Sequence, residues 1–316
     1  MHAPPFVPAR HPELAGARKR SASINSQWLS GPIAAVAALF AGLDDLEEIE
    51  RRAAAWLADP RQVDALLQPL MDALGADPWF EPPFKVSRDR LRTGVVLLDC
   101  PAVALSATVT CAAALNRLPP PVTVVMPGRV AITRYVRGGK AQMRRWHADP
   151  AGPDFSAAHA ASARELAPSI LEDDALIRQD GRTCGHFFAR AESAIVALTA
   201  TIKPSTAPLM REYAIADGAF VRAACANEAV SRIEMLLTFL RVSGRADTSP
   251  VFDSASRHPA FHLRWSTMRE WLMLDARTAR DRLVEMRAYD PNAEVRAAAA
   301  ATLPLLDRRL EQRCHA

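Results

Sequence analysis

Val130-Ala-Ile-Thr-Arg-Tyr-Val136, then Gly138-Gly139, then Met143-Arg-Arg-Trp-His-Ala148 is the stretch on which the fold turns. In its first run Val130, Ile132, Arg134 and Val136 alternate with Ala131, Thr133 and Tyr135. A period of two places successive side chains on opposite faces of a strand. The glycine pair supplies the backbone freedom of a tight turn, so the segment predicts a β-hairpin. Val103, Leu105, Ala107 and Val109 repeat the alternation, and further short apolar runs fall at 94–100, 122–126, 175–179, 186–190, 195–202, 210–215 and 219–223. Asp180-Gly181 and Asp217-Gly218 punctuate them. Short strands joined by short connections predict an antiparallel sandwich or barrel over 81–224.

On either side the period changes to that of a helix. Upstream, Leu39, Leu43, Leu46 and Ile49 recur at steps of three and four. After Asp59-Pro60, a helix-start signal, Val63, Leu66, Leu67, Leu70, Met71 and Leu74 form one apolar stripe. Residues 29–80 are therefore expected to be a helical cap. Residues 1–28 mix Pro, Arg, Ser and His without a period and predict a disordered tail. Downstream, 225–316 carries an internal repeat. Asp290-Pro291 with Val295-Arg296 lies 32 residues after His258-Pro259 with Leu263-Arg264, and Asn227 with Ser231-Arg232 lies 32 earlier again. Arg232, Arg264 and Arg296 are each expected near a helix start.

The segment Asp290–Leu303 resembles the HEAT repeat, in which Asp-Pro caps a helix and Val-Arg followed by small residues continues it. Asp290 can accept a bond from a free helix N–H and Pro291 presets φ, while the alanines permit close helix approach. That resemblance implies a HEAT-like array of paired helices and, with it, a face for a protein or peptide partner.

The strand region resembles the cupin double-stranded β-helix, through its strand count, the Gly138-Gly139 hairpin and the stretch from Leu171 to His186. The fold class read here is thus α+β: a central antiparallel cupin-like β-sandwich between an N-terminal helical cap and a C-terminal HEAT-like array. The family's first motif, two histidines and a glutamate, is absent. His147-Ala148-Asp149 with His186 offers a substitute set. Two histidines and a carboxylate can hold Fe(II) or another divalent metal and leave positions open, so the set implies a non-haem oxygenase as the alternative function. The opposing reading turns His147 to solvent if Trp146 is core and gives Asp149 to a turn before Pro150.

Composition bounds the rest. The chain has 316 residues and a formal charge of +4. Arg10, Arg18, Lys19 and Arg20 hold most of that excess and leave the body nearly neutral, so nucleic acid is not the expected partner. Five widely spaced cysteines without a Cys-x-x-Cys suit free thiols in the cytoplasm. No run of about 18–20 apolar residues appears, so no membrane span is expected. No phosphate-binding glycine loop appears either. The leading expectation is an interaction or regulatory scaffold.

Overall fold

The computed structural model describes residues 12–152 and 154–314. It is α+β, with a six-stranded antiparallel sheet and two three-stranded ones between two groups of helices, the two small ones together making up a second layer, termed the second sheet. The first sheet has the order β1 (Val86–Arg88), β2 (Arg92–Asp99), β3 (Val103–Thr110), β10 (Ile195–Ile202), β5 (Val130–Arg137), β8 (Ala175–Asp180). In the second, β12 (Phe220–Cys225), β11 (Leu209–Ala214) and β4 (Thr123–Met126) form one ladder, and β7 (Arg164–Ile170), β6 (Gln142–His147) and β9 (Cys184–Arg190) form another. The two ladders meet where β4 lies against β9. Gly185 makes that approach possible, because a Cβ there would sit 2.4 Å from the Val125 carbonyl oxygen.

From β3 to β10 the chain passes back and forth between the two layers, staying in one only at the β6–β7 pair. β3, β5, β8 and β10 fall in the first, and β4, β6, β7 and β9 in the second. This is jelly-roll winding, which turns two sheets into a flattened barrel with an inner and an outer face on each. The hairpin expected at Gly138-Gly139 joins β5 to β6, but it crosses from one sheet to the other rather than pairing its two arms. Gly139 has a φ of +61°, and a Cβ on it would meet the Ser193 carbonyl oxygen at 2.3 Å.

The outer face of the first sheet is apolar and covered. Val103, Leu105, Val130, Ile132, Ala200 and Ile202 pack against Trp28, Phe40, Ile49, Trp56, Leu57 and Leu66. Those residues come from α1 (Pro12–Trp28), α2 (Ala34–Phe40), α3 (Leu46–Ala58) and α4 (Pro60–Ala76). Asp45 and Asp59 start α3 and α4 by accepting bonds from Glu48 N and Arg61 N. Arg178 on β8 clamps Glu50 on α3 with two bonds of 2.7 Å.

Helix α1 corrects the expected tail. Residues 12–28 are helical, while residues 1–11 lie outside the described part. The helix has no broad apolar stripe to announce it. It buries only a narrow line of Ala17, Ser21 and Trp28, and polar bonds fix it. Trp28 Nε1 donates to the Leu66 carbonyl at 2.7 Å, Arg20 donates to Asp77 at 2.6 and 3.0 Å, and Glu81 N donates to Ser21 Oγ at 3.1 Å. Strand β7 was likewise absent from the expected set. It is an edge strand with Pro168 inside it and no buried position, so it shows neither alternation nor an apolar run.

After β3 comes a single helical turn, α5 (Ala112–Leu115), and the C-terminal helices are α6 (Glu228–Val242), α7 (Ser249–Ala255), α8 (Phe261–Leu274), α9 (Ala276–Tyr289) and α10 (Ala293–Cys314). They enclose a second core of Leu237, Phe252, Leu263, Met268, Trp271, Leu283, Val295 and Leu303. Leu209 of β11 and Phe155 belong to the same cluster, so the helices dock on the outer face of the second sheet. Ser156 Oγ donates to Glu294 at 2.8 Å across that junction.

The 32-residue spacing returns one contact twice. Arg264 Nη1 donates to the carbonyls of His258 and Pro259 at 3.1 and 2.9 Å, and Arg296 Nη1 to those of Asp290 and Pro291 at 2.5 and 2.9 Å. Each arginine reaches back six and five residues to seal the turn before its helix. Arg232 departs from the pattern: its side chain is 76% exposed and approaches only Glu228. The residues before it belong to β12 and the cap Asn227, so no helix-to-helix turn exists there to seal.

Candidate functional site

The inner faces of the barrel differ sharply from the outer ones. Strand register fixes which side chains share them. β6 pairs with β9 so that Arg145 stands opposite His186 and His147 opposite Cys184. Because residues two apart share a face, His147, Arg145, Cys184, His186 and Phe188 all line the interior. From the first sheet come Thr133 and Thr199, whose hydroxyls lie 3.1 Å apart, with Gln179, Tyr135 and, through its pairing with Thr110, Arg92.

His186 is the centre of this group. Gln179 Nε2 donates to its Nδ1. Its ring meets Phe188 edge-on with centroids 5.5 Å apart, and Phe188 in turn meets Tyr135 at 6.0 Å. Burial lowers the His186 pKa to about 4, with Arg92 and Arg145 pushing the same way. The imidazole is therefore neutral at pH 7. Burial also raises the Tyr135 hydroxyl to about 12, so it stays protonated.

Of the three residues expected to hold a metal, the fold brings two to one face and sends the third elsewhere. β6 ends at His147, so the two-residue rule that would have aligned Asp149 with it stops applying there. Asp149 is exposed and its carbonyl accepts from Arg211 Nη1 at 2.6 Å. It lines a hollow of about 230 Å³ with Phe155, Ser156, His159 and Tyr213, on the outer side of the second sheet. Trp146 is core, as one reading of the sequence required, yet the core it joins with Met126 and Tyr213 is that outer one. Its neighbour His147 consequently points into the barrel rather than to solvent. Among the described residues no three His, Cys, Asp or Glu side chains are grouped to hold a metal ion. His258 serves the helix start, its Nδ1 accepting from Ala260 N at 3.1 Å, while the ring nitrogens of His262, four residues on, are buried with no hydrogen-bond partner among the described residues.

A cavity of about 310 Å³ opens at one end of the barrel. Arg92 and Thr110 form its first-sheet wall, and Phe187, Phe188 and Ala189 its second. Leu115 and Leu118 and the run Pro119-Pro120-Pro121 cover it. Arg144 reaches its rim, already spent on Glu165 at 2.8 and 2.9 Å and stacked on Trp146 and Phe187. Arg92 was not among the expected functional residues. In sequence it belongs to Ser-Arg-Asp-Arg-Leu-Arg, which reads as a solvated loop, and only the β2–β3 register turns it inward.

No family model matches the chain, and no curated protein matches it. Solved structures with some likeness include an ectoine synthase from P. lautus, at 12% identity and TM-score 0.22 over 38% of this chain and 69% of that one. A cupin 2 conserved barrel domain protein from Rhodopseudomonas palustris matches at 10% identity and TM-score 0.23, over 50% and 89% of the two chains. The capsular polysaccharide assembling protein CapF from Staphylococcus aureus matches at 11% identity and TM-score 0.27, over 52% and 40%. At these scores the likenesses carry no argument about activity. No helix of the described residues is long and apolar enough to cross a membrane.

Proposed function

We propose that the protein is an interaction scaffold in which a cupin-like barrel carries a HEAT-like array whose first helix, α6, receives an amphipathic helix from a partner protein. What carries the reading is the free face of α6. Met235, Leu236, Phe239 and Val242 are 69%, 62%, 64% and 70% exposed and fall on one stripe. The opposite face, with Val230 and Leu237, is buried. Within the array α8 is flanked by α6 on one side and α9 on the other, and α9 by α8 and α10. α6 ends that stack with its apolar side uncovered by any described residue, so a helix of the chemistry of its own neighbour α8 suits it. The recurring Arg264 and Arg296 contacts support the HEAT-like description. Cys100, Cys111, Cys184 and Cys225 are free thiols, which suits a reducing compartment.

A photo-crosslinker at position 239 tests this. A crosslink to one other protein, mapping to an apolar helical segment and abolished by Met235→Asp, is the expected result. Crosslinks only between copies of this chain, or none, would remove the partner. A cupin-type oxygenase centred on His147, Asp149 and His186 is disfavoured by the separation of Asp149 from the two imidazoles.

A further inference from the structure

The cavity at the barrel end carries an exposed cation that pairs with no carboxylate of the described residues. Arg92 lines it, and among the described residues its guanidinium makes no hydrogen bond or ion pair. The carboxylate nearest in sequence, Asp89, uses one oxygen to accept from the backbone N–H groups of Leu91 and Arg92 at 2.7 Å each. It feels the Arg92 charge without touching it. Arg144, the other cation at the cavity, is held by Glu165. Deeper in the barrel, Arg145 has a buried Nε without a partner, and its Nη2 reaches only the Ala167 carbonyl at 3.4 Å. His186, which feels the charges of Arg92 and Arg145, and Tyr135, which feels that of Arg92, are neutral at pH 7. No carboxylate is bonded to either arginine.

Arg92 is exposed and keeps its hydration, but an exposed guanidinium at the edge of an apolar cavity is placed to pair with the anionic end of a ligand whose apolar body enters there. Around Arg92 the lining is Leu91, Leu115, Leu118, Phe188 and prolines, with Thr110 as a further polar group. Such a mixture, apolar walls with one convergent charge, is how small-molecule pockets fix orientation.

We propose that this cavity binds a small organic acid with an apolar body, its carboxylate paired with Arg92 in a two-bond fork and its hydrocarbon lying between Leu115, Leu118 and Phe188. The planar guanidinium matches a carboxylate in geometry, which a single ammonium would not. This site is independent of the α6 face, since it lies at the other side of the second sheet and shares no residue with it.

Calorimetric titration of the full chain with phenylacetate, octanoate and their neutral amides tests it. The acids should bind saturably, and at least about tenfold tighter than the amides, the value of one charge-assisted bond. Arg92→Gln should bring the acids to the level of the amides without lowering the melting temperature, and Leu118→Asp should weaken both. Arg92→Lys keeps the charge and should recover only part of the affinity. Equal binding of acid and amide, undiminished acid binding by Arg92→Gln, or no saturable binding of any probe would each overturn the proposal.

Discussion

Two arginines, one in the helical array and one in the barrel, show opposite uses of the same side chain. Arg264 and its partner Asp290 are almost wholly buried, with side-chain exposures of 8% and 1%. Every nitrogen of Arg264 is engaged, two with the Asp290 carboxylate at 2.8 and 2.6 Å and one with two carbonyls. Arg92 is exposed at a cavity, and none of its guanidinium donors is engaged by the described residues. A buried, fully bonded cation holds a fold in register, whereas an exposed one at a cavity mouth, bonded to no neighbouring side chain, is placed to meet an incoming anion. The difference separates structural from binding residues without any reference to relatives.

Breaking the array arginine should have the largest effect. Arg264→Met leaves Asp290 buried without its counter-charge, at a cost of about 3–5 kcal/mol. The midpoint of thermal or denaturant unfolding should fall accordingly. Placing a methyl at Gly185 comes next. Its Cβ would collide with Val125, and the backbone of β9 and β4 must separate, so Gly185→Ala should cost about 1–3 kcal/mol, read in the same way.

The barrel side sharpens through pH. His186 is neutral in the folded protein down to about pH 4, whereas in the unfolded chain it takes its proton near 6.5. Its depressed pKa therefore contributes stability that is present above pH 6.5 and is lost as the pH falls through about 4. His186→Gln should flatten that segment of the stability profile. NMR titration of the ring should give a midpoint near 4 in the parent chain and a higher one in Arg92→Gln. The smallest effect belongs to Asp275, which caps α9 by accepting from Arg277 N and Thr278 N at 3.1 and 3.3 Å. Asp275→Ala should cost about 1 kcal/mol in a melting experiment.

What could be read from the sequence follows the same division. Alternation along β3 and β5 and the stripe on α4 are local signals, and all three elements formed as expected. The repeat at Arg264 and Arg296 was legible because the contact each makes is with its own preceding turn. α1 was not, since its hold on the body comes from Trp28 and Ser21 reaching residues far along the chain. Nor was β7, an exposed edge with a proline. The site was the least legible part. His147 and Asp149 are two apart, but the strand stops between them, and nothing local reports that stop. Arg92 enters the barrel only because Thr110 lies opposite it in a neighbouring strand.

The most direct measurement is a side-by-side melting experiment on Arg92→Met and Arg264→Met. The account predicts an unfolding midpoint lowered strongly by the second substitution and unchanged or slightly raised by the first, because Arg92 gives up no bond. Equal losses would mean that Arg92 also holds the fold, and the distinction between the two arginines would fail.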